Sequence, residues 1–159
     1  MKRDRFLFGI LIGIGVLIVL ALVLFFTRQD TLTYVDDSTP EGVVHNYAVA
    51  VFKGDYEKAY SYLADKKNKP TFQQFEQDFL YRYVDPSNVG LQVGETEIRG
   101  ARAVVLLTLS YSNSDPFSSG YSNEDRATLI QQDGKWKLEQ MPYNFWSYNW
   151  YQPTTEPVY

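Results

Sequence analysis

The pattern of apolar positions changes character once along the chain. Residues 6–26, FLFGILIGIGVLIVLALVLFF, are apolar without a break, whereas beyond residue 38 apolar residues return only at helical or strand spacing. At about 1.5 Å per residue, a helix of that length reaches about 31 Å, the hydrocarbon thickness of a bilayer. The run ends Leu24-Phe25-Phe26-Thr27-Arg28, with bulky side chains where a signal peptidase needs small ones. It therefore reads as an uncleaved signal anchor and not as a cleavable signal peptide. Residues 27–38, TRQDTLTYVDDS, show no period and read as a linker.

Helical spacing then takes over. Thr39 suits an N-cap, Pro40 the first helical position, and Glu41 the positive end of the helix dipole. Val43, Val44, Tyr47, Ala48 and Val51 recur at three- and four-residue steps and predict one buried stripe. Gly54 ends this helix and Asp55 caps a second, in which Tyr56, Ala59, Tyr60 and Leu63 repeat the spacing. After a Lys-rich connection over residues 66–70, Thr71 and Gln74 form a capping box for a third helix, whose stripe is Phe72, Phe75, Phe79 and Tyr83.

Beyond Pro86 the period falls to two. Val89, Leu91 and Val93 alternate with polar neighbours, and Arg99-Gly100 predicts a turn. Residues 101–111 predict a long strand, apolar on both faces over 104–109, that belongs in the middle of a sheet. Residues 112–120 read as a loop. Next comes a strand of about ten residues containing Ala127, Leu129 and Ile130, and Asp133-Gly134 then signals a two-residue hairpin returning through Trp136 and Leu138. Three helices followed by about four antiparallel strands predict an α+β domain with the helices on one face of the sheet.

Charge adds topology to this picture. The formal net charge of -4 hides a split: without residues 1–30, the remaining 129 carry 11 basic and 17 acidic residues. Lys2, Arg3 and Arg5 precede the apolar run, only Arg28 follows it closely, and positive flanks stay cytoplasmic. Residues 1–5 are therefore expected inside the cell, 6–26 in the bilayer of the cell membrane as a single pass, and the acidic remainder outside. The bilayer is the first expected partner. Gly9 and Gly13 form a G-x-x-x-G that lets two helix backbones approach, which offers a homodimer contact, although glycine is also simply frequent in spanning helices.

An acidic domain has no basic excess to release phosphate counterions, which excludes nucleic acid. The chain has no cysteine, which excludes a disulfide scaffold, a thiolate zinc site and a cysteine nucleophile. It shows no phosphate-binding glycine loop and no metal-ligand spacing. No cofactor, no metal and no catalytic residue is expected, and the expected mode of action is binding; the alternative is a small-molecule binder or an enzyme that uses an interior pocket with tyrosine and acidic side chains as acid/base groups.

Residues 39–63, TPEGVVHNYAVAVFKGDYEKAYSYL, resemble the opening helical pair of NTF2-like domains. They are similar in particular to the bacterial membrane-anchored members of the DUF4878-like or lumazine-binding-like type, whose closing Asp-Gly-Lys-Trp-Lys-Leu hairpin is similar to residues 133–138 here. The resemblance covers about residues 39–140. It implies a curved antiparallel sheet wrapped around a long helix, a cone with a pocket at its wide end, over residues 39–142. It implies no reaction, because the family hosts isomerases, dehydratases, transport factors and assembly modules, and none of its catalytic patterns is matched here.

Tyr47, Tyr60, Phe75 and Phe79, with Tyr56, Tyr62 and Phe72 beside them, have two readings. Their helical spacing is that of a core stripe; the same rings suit an apolar ligand pocket rimmed by phenols. His45, the only histidine, is offset from the apolar stripe. It reads as a surface or half-buried structural residue, against a dyad with Asp125 inside the cone. Asp36, Asp37 and Glu41, and separately Asp115, Glu124 and Asp125, carry charge suited to calcium without the spacing of a calcium loop, and read as solvated acidic faces.

Residues 143–159 form an aromatic-rich C-terminal segment. In an extended chain Trp146, Tyr148 and Trp150 would share one face, with Phe145 and Tyr151 on the other. Three readings follow. The segment packs across the cone's opening, it presents Trp146, Tyr148, Trp150 and Tyr151 to a protein partner or a cell-wall glycan, or it lies as an aromatic belt at the outer headgroups.

Overall fold

The computed structural model describes residues 5–27, 32–111 and 120–153. Lys2, Arg3 and Arg28 of the basic flanks, Asp115, and the last residues of the aromatic-rich segment lie outside the described residues. The chain divides into two compact units, Met1–Thr33 and Tyr34–Tyr159.

The first unit contains α1 (Arg5–Thr27). Its side chains are described over residues 9–23, and all of these are exposed. A Cβ added at Gly9 or Gly13 would meet nothing within 4 Å. Among the described residues no helix is long and apolar enough to cross a membrane.

The second unit is α+β. It comprises α2 (Pro40–Lys53), α3 (Tyr56–Ser61), α4 (Phe72–Leu80) and strands β1 (Val89–Arg99), β2 (Arg102–Tyr111), β3 (Tyr121–Gln132) and β4 (Lys135–Gln140). The strands form one antiparallel sheet in the order β1-β2-β3-β4. The caps are those read from the sequence. The Thr39 side chain accepts from Gly42 N–H, Gly54 closes α2 at φ 70°, the Asp55 side chain accepts from Lys58 N–H, and Thr71 with Gln74 completes a capping box. Asp133 (φ 50°) and Gly134 (φ 75°) supply the two positive φ values of a type I′ hairpin between β3 and β4.

Three elements depart from the expectation. The second helix stops at Ser61, and Leu63, expected on its stripe, instead bridges to Leu138. Leu138 N–H donates to the Tyr62 carbonyl and Ala64 N–H to the Leu138 carbonyl, each at 2.8 Å. Residues 62–64 thereby cover the free edge of β4; Leu63 is buried in either conformation, so its spacing could not tell them apart. Strand β2 is internal, as expected, but only its inward row, Val105, Leu107 and Leu109, is buried, while Leu106 on the other face is 51% exposed. An apolar centre therefore did not require cover on both faces.

The third departure is at the entry to α2. The buried Asn46 amide forms a reciprocal pair with Val35: Val35 N–H donates to Oδ1 and Nδ2 donates to the Val35 carbonyl, both at 2.8 Å. Tyr34 donates to Asp55 at 3.1 Å, and the Lys53 and Lys58 ammonium groups lie 4.6 and 3.9 Å from its ring centroid. The Asp36 carbonyl oxygen passes so close to Gly42 that a Cβ there would collide with it. The compact unit thus begins at Tyr34, and the stretch before Thr39 that reads as linker is strapped to the helix.

Helix α2 is buried from Pro40 to Val51 on almost every side, with only Glu41 and His45 interrupting the buried run. The sheet covers it on one side. On the others lie α3, α4 and the C-terminal residues Met141, Phe145, Trp146 and Trp150, all of which belong to the same hydrophobic core.

Candidate functional site

The interior between helices and sheet is filled by aromatic rings. Tyr47 and Phe75 are fully buried and Phe79 nearly so, while Tyr60 is half-buried. Tyr47 donates to the Phe145 carbonyl at 2.6 Å, and its ring packs on Phe75 and Trp146. Phe75 in turn meets Tyr60, Phe79 and Trp150 at centroid distances of 5.5, 5.1 and 4.8 Å. Tyr60 donates to the Pro70 carbonyl at 2.8 Å. The four residues with two sequence readings therefore sit against one another in or at the core. None of the four lines any of the three clefts described below.

Over its described residues the C-terminal segment is not extended, so the expected sharing of one face by Trp146, Tyr148 and Trp150 does not occur. Residues 143–152 form successive turns, closed by Phe145 N–H to the Pro142 carbonyl (2.8 Å) and Trp150 N–H to the Ser147 carbonyl (3.2 Å). A turn repeats every three to four residues, which sends Trp146 and Trp150 to the core together and leaves Tyr148 outside, 70% exposed. Tyr151 is half-buried; it stacks on Trp146 and donates to the Ala64 carbonyl at 2.6 Å.

Outside this core, two clefts adjoin. One, of about 440 Å³, gathers the side-chain amides of Asn68, Gln74, Asn149 and Gln152 beside Trp150. The other, of about 360 Å³, gathers Tyr83, Tyr143, Tyr148 and Ser147 around Trp146. Asp78 and Asn149 line both. Trp150 Nε1–H donates to Asp78 Oδ2 at 2.7 Å, which holds the carboxylate at the junction.

The sequence placed Tyr83 on the α4 stripe, but that helix ends at Leu80. Arg82 takes φ 60°, its N–H donating to the Phe79 carbonyl and that of Val84 to the Asp78 carbonyl. This left-handed turn tucks Val84 into the core and turns Tyr83 outward, 78% exposed. Asp78, Asn149, Tyr83 and Tyr143 had no sequence signal as a group, because turns far apart in the chain bring them together.

A third cleft, of about 610 Å³, gathers Lys58, Lys135 and Lys137 with Tyr62. Lys137 donates to the Ser61 carbonyl at 2.5 Å, and burial pulls its pKa below the ordinary lysine range. Tyr62 donates to Asp37 at 3.3 Å, and burial followed by the Asp37 charge pushes its pKa up to about 12. Burial also raises Tyr47 and Tyr151 above the ordinary tyrosine value.

A tyrosine whose pKa is higher folded than unfolded contributes stability below the unfolded value and loses it as pH rises towards the folded one. Stability is thus expected to fall from pH 10 towards pH 12 as Tyr62 ionises in the unfolded chain first. Urea midpoints across that range should show the fall, and a shallower one in Tyr62→Phe. An unchanged slope in the variant would remove Tyr62 from the explanation.

His45 is half-buried on α2, and Asp125 half-buried on β3, its carboxylate accepting from Arg126 N–H at 2.8 Å. Glu41 accepts from Thr96, Asp36 from Ser38, and Asp37 from Tyr62. Among the described residues no group of three or more histidine, cysteine or acidic side chains is placed to hold a metal ion.

No protein-family model matches the chain. No curated protein matches it. Solved structures do. A SEC-C motif containing protein from Rhodopseudomonas palustris aligns at 13% identity and a TM-score of 0.48, over 67% of this chain and 79% of that one. A protein described as an NTF2-like transpeptidase from Campylobacter jejuni aligns at 16% identity and a TM-score of 0.44, over 63% and 96%. A cystatin-fold protein from Novosphingobium aromaticivorans aligns at 8% identity and a TM-score of 0.43, over 63% and 97%. The neighbours thus include NTF2-like and cystatin-fold proteins, and at these scores none bears on what this chain does.

Proposed function

We propose that this chain is a single-pass membrane protein whose outer, NTF2-like domain of the DUF4878-like type acts as a binding or accessory module and not as a catalyst. The observation that carries the binding reading is the filled interior. Tyr47, Phe75, Phe79, Phe145, Trp146 and Trp150 occupy the space beneath the sheet, so a ligand meets this domain at its outer clefts. Two of those clefts adjoin, one lined by exposed tyrosine rings and the other by side-chain amides, the composition of a recognition surface.

The anchoring part of the reading rests on the uninterrupted apolar run of residues 6–26 and on the change from a basic flank to an acidic domain. It places the N-terminus in the cytoplasm and residues 34–159 outside, with the bilayer as one partner and a G-x-x-x-G at Gly9 and Gly13 as a route to a homodimer.

The absence of native cysteine makes the topology directly testable. Glu57 is exposed on α3, and in Glu57→Cys the single thiol is expected to react with a membrane-impermeant maleimide in intact cells as fully as after lysis. Reaction only after lysis would place the domain inside and overturn this topology.

A further inference from the structure

We infer that the paired clefts joined at Asp78 bind a neutral oligosaccharide, with Tyr83, Tyr143 and Tyr148 as stacking faces. This rests on the reading of the domain as an outward-facing binding module. A pyranose presents two kinds of surface: ring faces rich in C–H bonds, which pack on aromatic rings, and an equatorial girdle of hydroxyls, each a donor and an acceptor. The clefts supply partners for both.

Three tyrosines that are 78%, 70% and 70% exposed converge on one cleft. A single exposed tyrosine needs no explanation, but a cluster of large rings open to water around one concavity marks a binding surface. The adjoining cleft offers four carboxamides and the Asp78 carboxylate. Amides and carboxylates accept from and, for amides, donate to vicinal hydroxyls in pairs. Asp78 is already oriented by Trp150 Nε1–H, so part of the site is organised before any ligand arrives.

The charge of the site selects a neutral ligand over an anionic one. The one ammonium group lining either cleft, that of Lys69, is paired with Asp65 at 2.8 Å and donates to the Leu63 carbonyl at 3.3 Å. A phosphate or carboxylate would meet Asp78 there without a free cation. At about 440 and 360 Å³ each cleft falls within the size range of ligand pockets, and their shared wall at Asp78 and Asn149 suits a chain of sugar units more than a single ring.

The test uses the full chain in a sugar-free detergent, titrated with a β-1,4-linked N-acetylglucosamine tetramer and, separately, a β-1,4-linked glucose tetramer, following tryptophan fluorescence. Trp146 and Trp150 line the clefts and report on occupancy. Saturable binding of at least one tetramer is expected, weakened about tenfold or more by Tyr148→Ala and by Tyr83→Ala. Asn149→Ala is expected to act in the same direction through the shared wall. Tyr121→Ala, which removes an exposed ring on β3, is expected to leave affinity unchanged, and thermal unfolding should show the two cleft tyrosine variants to be as stable as the parent.

No saturable response to either tetramer, or a response that survives both tyrosine substitutions, overturns the proposal. Loss of crosslinking to a neighbouring protein in those same variants, without any sugar response, overturns it in favour of a protein partner. Binding in detergent does not depend on topology, so a negative maleimide result and a negative titration are separable failures.

Discussion

Phe75→Ala is expected to destabilise the Tyr34–Tyr159 unit by about 3–5 kcal/mol, the range for removing a fully buried phenylalanine whose neighbours cannot close the gap. Phe75 has no exposed surface and touches the rings of Tyr47, Tyr60, Phe79 and Trp150. Those partners come from α2, α3, α4 and the C-terminal turns, so no single element can move in to fill the cavity without pulling on another. A fall in Tm of roughly 10–15 °C is expected for a domain of this size. Circular dichroism melts would measure it, with Phe72→Ala, at a half-buried site on the same helix, as the milder comparison. Equal losses in the two variants would mean that Phe75 is not the centre of the aromatic core.

Ending the chain at Pro142 is expected to abolish cooperative unfolding altogether. The deletion removes Phe145, Trp146 and Trp150 from the core and opens Tyr47 and Phe75 to water. It also strips the Tyr47 hydroxyl of its acceptor, the Phe145 carbonyl, and the Tyr111 hydroxyl of Asn144. Burying an aromatic side chain contributes about 1.5–3 kcal/mol before any packing term, and losing three at once is comparable with the whole stability of a domain. A broad, non-sigmoidal melt with increased dye binding to exposed apolar surface is the expected result. A sharp transition in the shortened chain would show that the segment is an appendage. The aromatic-rich end is therefore unsuitable for deletion as a probe of partner binding, and the exposed rings of Tyr83 and Tyr148 are the positions to change.

How much of this was legible beforehand depended on whether the signal was local. Caps and turns are local, and Thr39, Gly54, Asp55, the Thr71–Gln74 box and Asp133-Gly134 all stand where spacing placed them. The α+β class followed from the change of period at Pro86. What periodicity could not resolve was which of two structures buries the same residue: Leu63 satisfies helix and bridge equally, and Trp146 with Trp150 satisfies strand alternation and turn alike. The clefts were the least legible. Asp78, Tyr83 and Asn149 have ordinary neighbours in the chain, and they meet only because a left-handed Arg82 and a run of turns after Pro142 bring their segments together. Asn46 was missed for a related reason, since its partner is the backbone of Val35 and carries no side-chain signature.

The strap at Tyr34–Asp37 also has a mechanical meaning. Tension transmitted along the chain from residues 1–33 reaches the Val35–Asn46 pair and the Tyr34 hydroxyl before it reaches any strand. Those few hydrogen bonds are the first that such a load would meet, ahead of the aromatic core, which is tied together by residues from both ends of the domain. Were they to open, residues 34–38 would come free of the helix, a stretch that spans about 17 Å in all at full extension. The entry of the domain is thus held by a small set of hydrogen bonds that share no residue with the clefts at Asp78.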